Sequence, residues 1–336
     1  AMSMNGELQE FGFIKWGAAF HFVCIIVYLS STLFLANDSY NNIRILTITL
    51  IVLMVIDSVV TILQYYNSPI GWGANLFLTQ GRVESIVDFA GDTIGESGSL
   101  LGAARTPGIF DSVVINSIYI GTLGVLPFCF MKKHSLLSIL AVSLAVVACF
   151  MCQERAGLYL LLASTIFLVF KLSGKKINNI ILVVVLAIGI IFLQDLSFSN
   201  LGRIGEVDFS GDTRHDIWDY FARFFSENWM WGGPNSFRAM TGKLAHNYFY
   251  NAFIFGGLMG GITVIILFFM IVARCLKNCL NRKALPENVV LSVALLSLMA
   301  QGLVHNTSLV TGDAIIFLLL PMVILSEKNK KANNDA

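Results

Sequence analysis

Between Gly202 and Gly261 the chain carries Arg203, Arg214, Arg223 and Arg238, two of its five histidines, and its densest cluster of tryptophan and glycine. The flanking sequence is apolar on both sides, so this is the one long segment polar enough to hold a charged or hydroxyl-rich substrate. Arginine presents a planar fork that matches a phosphate with two hydrogen bonds. Arg203 and Arg214 are therefore natural anion binders. Without an Asp-rich metal motif beside them, a diphosphate here would be neutralised by guanidinium groups, and neither a metal nor a cofactor is expected. Each arginine taken singly also fits a contact with lipid headgroups or water. His246-Asn247 opens an apolar run. A histidine with a reference pKa of about 6.5 can take a proton from a sugar hydroxyl, and the first turn of a helix disfavours the imidazolium. A structural histidine at a membrane edge is the competing reading. Nine residues separate Asn247 from Gly257, and Gly260 follows three residues later. His305-Asn306 also sits at the end of an apolar run but lacks those glycines.

Two further places carry cations near apolar runs. Gln153-Glu154-Arg155 links two spans with almost no loop, so Arg155 either projects into a cavity between helices or snorkels to water. Arg105-Thr-Pro-Gly108 runs directly into a span, while Arg82 lies farther out among Gly91, Gly95, Gly98 and Gly102. Asp57, in the middle of an apolar run, is read as a hydrogen-bonding group between helices.

The elements that must position these groups are membrane spans. The chain is 56% hydrophobic and 13% charged, against about 25% charged in soluble domains. Mean hydropathy is +0.74. The reading is an all-α polytopic membrane protein, a single integral domain over residues 1–336. About nine apolar runs are long enough to cross a hydrocarbon core of about 30 Å. They fall near 16–36, 43–63, 113–131, 135–152, 156–170, 177–193, 248–272, 289–304 and 314–325. Two long external loops, 64–111 and 195–247, separate them. The polar start AMSMNGELQE has neither a basic region nor a cleavage site, so no removable signal peptide is expected.

With nine spans, the basic clusters Lys132-Lys133, Lys171 with Lys175-Lys176, Arg274 through Lys283 and Lys328 through Lys331 all fall on one side, which the positive-inside rule makes cytoplasmic. Both long loops, the Arg155 link and the His305 turn then face outward. A net charge of +1 gives no reason to expect a nucleic-acid partner. Cys24, Cys129, Cys149 and Cys152 lie in apolar runs and Cys275 and Cys279 in a basic loop, and all are read as packing residues.

Within the large loop, Ser210-Gly-Asp-Thr213 has the composition of a helix cap. Beyond it Ile217, Trp218, Phe221, Phe224 and Phe225 recur at helical spacing, predicting an amphipathic helix suited to a membrane surface. Trp229-Met-Trp231 fits an interfacial aromatic belt. Gly232-Gly-Pro234 ends the helix and permits close backbone approach to a ligand. Gly256, Gly257, Gly260 and Gly261 are expected to allow close helix packing.

The pattern His246-Asn247, nine residues, Gly257, two residues, Gly260 resembles the signature of the bacterial O-antigen ligase and polymerase superfamily. The preceding Arg203, Gly211, Arg214, Trp218 and Gly232-Gly233 resemble that family's large periplasmic loop. Arg155-Ala-Gly157 resembles its Ser-Arg-Gly element, with Glu154 in place of serine, and Arg105-Thr-Pro-Gly108 more loosely an earlier arginine loop. The family usually has about twelve spans, so the shortfall would lie at the N-terminus.

The resemblance implies a GT-C-like enzyme of the bacterial inner membrane that uses an undecaprenyl-diphosphate-linked glycan and works without metal, with inversion, facing the periplasm. His246 would be the general base and Arg214 its catalytic partner at the diphosphate. Arg155, Arg203, Arg105, Asn247, Glu154, Trp218, Gly232 and Gly233 would contact substrate. Membrane lipids and a chain-length regulator protein are the other implied partners. Polymerisation of repeat units is favoured, on the short chain and the Glu154 departure. Ligation of finished glycan to lipid A-core is the near alternative. A polysaccharide transporter or flippase is the distant one, disfavoured because no internal repeat is evident and polar residues cluster outside the spans.

Overall fold

The structure, a computed structural model of the chain, describes residues 26, 29–35, 39–66, 68–78, 106–110, 113–152, 155–172, 214–241, 247–303 and 314–334. Every regular element among the described residues is a helix. Two compact units are formed, one from Ala1–Ile43 with Phe209–Ala336 and the other from Arg44–Asp208.

Length and composition qualify three helices to cross a membrane: Tyr40–Tyr65, Val113–Phe130 and Tyr248–Leu280. The shorter apolar helices Ser135–Met151, Ala156–Leu172 and Pro286–Gln301 coincide with the fourth, fifth and eighth expected spans. The expected span at 177–193 and most of that at 16–36 lie outside the described residues.

The helix α1 (Ser39–Tyr65) belongs to the second unit from Arg44 onward and is followed there by α2 (Pro69–Leu78), α3 (Val113–Leu123), a 3-10 turn (Leu126–Phe130), α4 (Ser135–Met151) and α5 (Arg155–Leu172). The helix α2 falls inside the segment read as a loop. Its signal was Pro69 at the first helical position, where a missing N–H is harmless, masked by Gly71 and Gly73. The α3–α5 crossing is tight because a Cβ on Gly121 would lie 2.9 Å from the carbonyl oxygen of Gly157. A side chain on Gly157 would in turn strike Ser117. Small residues of this kind let apolar helices approach backbone to backbone. Cys149 and Cys152 are buried here, the first against the Ser117 carbonyl and the second 3.2 Å from Asn116 Nδ2. That fits packing rather than redox chemistry.

In the first unit lie α6 (Arg214–Asn228), α7 (Pro234–Thr241), α8 (Tyr248–Leu280), α9 (Pro286–Gln301) and α10 (Ala314–Asn334). The amphipathic helix expected after Thr213 is α6. Its apolar face, however, is turned to protein: Phe224 is fully buried with Phe237 of α7 and Ile254 of α8, and Phe221 packs against them. Trp229, Met230 and Trp231, which follow it, are each about half exposed. Cys275 and Cys279 do not lie in a loop. The helix α8 continues to Leu280, and both thiols are on its buried side. Nothing in 272–280 breaks a helix, and Arg274 and Lys277 remain on the exposed face.

Candidate functional site

The site in the first unit is built on a reversal inside α8. Its 33 residues would extend about 50 Å if straight, well beyond a bilayer core. They are not straight. Gly257 has φ 59 and ψ −155, outside any helical conformation and open essentially to glycine alone. The ring of Phe249 lies 5.0 Å from Phe268 and that of Tyr248 lies 5.5 Å from the same ring. Straight-helix geometry would put residues 248 and 268 about 30 Å apart. Residues 248–256 therefore fold back along 258–280 as a short half-helix, and 258–280 alone is the span. Its lipid-facing side carries Met259, Ile262, Ile266, Phe269, Met270 and Leu280, all exposed. The glycine group read as a helix-packing surface is thus first a chain reversal. Gly261 leaves room for the Phe253 ring, and nothing approaches Gly256.

Breaking a helix severs its ladder, and orphaned backbone groups in an apolar setting must find new partners. One i to i−4 pair that spans the break is Leu258 N–H with the Ile254 carbonyl. The α6–α7 turn replaces both halves. Leu258 N–H donates to the Trp229 carbonyl at 2.7 Å, and Gly233 N–H donates to the Ile254 carbonyl at 2.8 Å. Gly232, at φ 74, allows this docking, and a side chain there would meet the Ile254 carbonyl. The close backbone approach expected of Gly232 and Gly233 is therefore made to the protein's own chain. Their N–H groups are engaged by Asn228 and Ile254.

The docked turn sets the register of α6 against the half-helix. Phe221 stacks on Tyr250 at 4.4 Å and Phe225 meets Phe253 at 5.3 Å. With Trp229 bonded to Leu258, the two helices run parallel. Carried back along α6, that register puts the backbone of Trp218 level with Asn247 and that of Arg214 one turn beyond. The residues that head both helices thus belong to one end of the pair.

Asn247 holds that end together. Its Oδ1 accepts from the N–H groups of Phe249 at 2.9 Å and Tyr250 at 3.2 Å, a helix N-cap. Its Nδ2 donates to the Leu303 carbonyl at 3.0 Å, and Tyr248 N–H donates to the Gly302 carbonyl at 2.7 Å. Donors at the start of α8 thus satisfy carbonyls at the end of α9, the two sets of groups that helix termini leave open. The segments bearing His246 and His305 leave the described structure at this one corner, Asn247 and Leu303. Asn247→Ala is expected to lower stability by about 2 kcal/mol, combining a lost cap with a lost half-buried bond. Asn247→Asp, which keeps the cap acceptor and drops the donor to Leu303, should lose roughly half of that. Unfolding of the purified variants in detergent checks the order.

The second unit holds another polar cluster. Thr106, Pro107 and Gly108 are buried among α1, α2, α3 and α4. Gln64 grips Gly108 from both sides: Gly108 N–H donates to its Oε1 and its Nε2 donates to the Gly108 carbonyl, each at 2.8 Å. Asn75 Nδ2 donates to the carbonyls of Gly108 and Phe110, both at 2.7 Å. Asn116 Nδ2 reaches the Thr106 carbonyl at 3.0 Å, and Thr106 Oγ1 donates to the Met151 carbonyl at 3.1 Å. Asp57, as expected, is a hydrogen-bonding group: it accepts from Ile109 N–H at 3.0 Å. Asp57, Thr61 and Gln64 lie on one face of α1 at helical spacing, the signal that could have found this cluster in the sequence.

Of the candidate residues, Arg155 opens α5 and Arg214 opens α6, with Trp218 one turn inside α6. The side chains of these three lie outside the described residues, as do His246, Arg203, Arg105 and Glu154 entirely. Among the described residues the fold is all-helical, with helices long and apolar enough to cross a membrane and one of them interrupted at the candidate site. The chain matches no family model and no curated protein.

Proposed function

We propose that this protein is a membrane glycosyltransferase that joins undecaprenyl-diphosphate-linked oligosaccharide repeat units into a surface polysaccharide of O-antigen type. The observation that carries this reading is the parallel register of α6 and the half-helix of α8, which assembles Arg214, Trp218 and Asn247 at one end. His246 is joined directly to Asn247. In this reading His246 takes the proton from the acceptor hydroxyl, whose oxygen bonds to the anomeric carbon from the face opposite the leaving group. The bond from that carbon to the diphosphate oxygen breaks, the configuration inverts, and Arg214 neutralises the departing undecaprenyl diphosphate. No step uses a metal. The fold-back supports a lipid-linked donor: it sets Tyr248 beside Phe268, well along an apolar span, so a carrier tail can stay in lipid while its diphosphate reaches the histidine. The enzyme would be GT-C-like, about nine spans in the bacterial inner membrane, with its site toward the periplasm.

The test is complementation of a strain lacking the gene, with glycan displayed on gels and membrane protein level measured. Wild type should restore a ladder, and Arg214→Ala should leave a single repeat unit on core at equal protein level. Full-length glycan held on the carrier lipid beside bare core would identify a ligase instead. Substrate flux into liposomes without bond formation would identify a transporter.

A further inference from the structure

We propose that the Trp229–Met230–Trp231 turn is a lipid-binding surface, seated at the headgroup end of the acyl region on the side of the bilayer opposite the basic end of α8. The proposal does not depend on the transferase reading. The turn is engaged inward through its backbone and left open through its side chains. The Trp229 carbonyl accepts from Leu258 N–H at 2.7 Å, and the Met230 carbonyl lies so close to Gly257 that a Cβ there would overlap it. The side chains of Trp229, Met230 and Trp231 stay 45%, 46% and 48% exposed. Two indoles and a thioether held open side by side are costly to leave in water, and an exposed apolar patch of this kind marks a surface that another phase covers.

Helix length decides that the phase is lipid and sets the depth. The span 258–280 rises about 35 Å against about 30 Å of hydrocarbon. Arg274 and Lys277 are exposed near its far end, with Arg282 and Lys283 exposed just beyond. Leu258 lies about 24 Å from Arg274 along the axis, and a long arginine stem lets its head reach the boundary from inside. With the basic end at one boundary, the bend at Gly257 comes up close to the other. A bend lifted clear of the membrane, with Phe268 at the boundary, would leave about 20 Å of helix to cross and put the exposed Met259, Ile262 and Ile266 in water. A bend at the bilayer centre would push the exposed Phe269 and Met270 out beyond the opposite boundary. Because Trp229 is bonded to Leu258, the turn shares the depth of the bend. It lies level with Met259, at 76% exposure the first residue of the lipid-facing side. Indole suits that level, since its ring can lie among acyl chains while its N–H donates to headgroup carbonyls. Ser226 and Glu227, exposed on the turn of α6 just before Trp229, fit a boundary and not an acyl interior.

The test is quenching of tryptophan fluorescence in the full-length protein, reconstituted in phosphatidylcholine vesicles whose acyl chains carry bromine either near the headgroup end or near the methyl end. The substitutions Trp16→Phe, Trp72→Phe and Trp218→Phe leave Trp229 and Trp231 as the emitting tryptophans. Should that variant fail to fold, the difference in quenching between the native chain and Trp229→Phe/Trp231→Phe carries the same measurement. Bromine near the headgroup end is expected to quench at least about twofold more than bromine near the methyl end, as for a ring at the boundary. Equal or stronger quenching from the methyl end would place the bend inside the bilayer and overturn the proposal. Quenching by acrylamide in the water, with none from either bromine, would put the turn in water and overturn it as well. Quenching by none of the three would mean that protein covers the turn, a second copy or another part of this chain, and lipid would be the wrong occupant.

Discussion

Gly257→Ala should unfold the candidate site while Gly256→Ala, one residue away, leaves it intact. At φ 59 and ψ −155 an alanine is strained by about 1–3 kcal/mol. Its Cβ would also overlap the Met230 carbonyl, so the α6–α7 turn must withdraw. Withdrawal removes the bonds from Leu258 to Trp229 and from Gly233 to Ile254, and a buried backbone group left unpaired costs about 1–3 kcal/mol. The alternative open to the variant is a straight helix in which Leu258 again bonds Ile254. That helix would carry Tyr248 and Phe249 away from Phe268, and Asn247 away from Leu303. Either route costs more than about 3 kcal/mol, a large part of a typical stability of 5–15 kcal/mol. In detergent the melting temperature should fall by at least about 5 °C, with complete loss of transfer activity. A Cβ on Gly256 meets nothing within 4 Å, so Gly256→Ala should melt with wild type. Equal melting of the two variants would refute the reversal.

His246→Ala should lower the rate of chain extension by about 10²–10⁴ without moving the melting temperature, the usual range for a lost general base. That corresponds to roughly 3–5 kcal/mol of barrier. The split between rate and stability separates this residue from its neighbour. Asn247 uses its side chain on Phe249, Tyr250 and Leu303, so Asn247→Ala should lose stability and rate together. The assay uses purified protein with lipid-linked repeat units. Because Asn247 and Leu303 are bonded, His305→Ala belongs in the same experiment. Full activity in His246→Ala with loss in His305→Ala would move the base to the other side of that corner.

Several elements were legible in the chain because their signals are local. The runs at 135–152, 156–170 and 289–304 became α4, α5 and α9 with boundaries shifted by a few residues, since apolar length alone demands a helix in a membrane. The helix α6 was legible from its cap-like start and the spacing of Phe221, Phe224 and Phe225. The role of Asp57 was legible as well, because a lone carboxyl in an apolar run must find a hydrogen bond. Its companions Gln64, Asn75 and Asn116 were not recognised. Gln64 shares a face of α1 with Asp57 and Thr61, but no spacing within one helix records that α2 and α3 bring Asn75 and Asn116 to the same Thr106–Phe110 backbone.

Composition and apolar run length by themselves pointed to a helical membrane protein, and residue type alone picked out His246 and the arginines as candidate groups for chemistry. Whether 248–280 would run straight or reverse was decided by tertiary structure. Glycine at 257 tolerates either course. The reversal stands because the severed Leu258 N–H and Ile254 carbonyl meet Trp229 and Gly233, partners from another helical turn whose arrival no local pattern records. The same docking gave α6 its register and so chose which residues share an end with Asn247. Side-chain chemistry is carried by single residues, but the geometry that makes a site is set by backbone groups that must be satisfied across the fold.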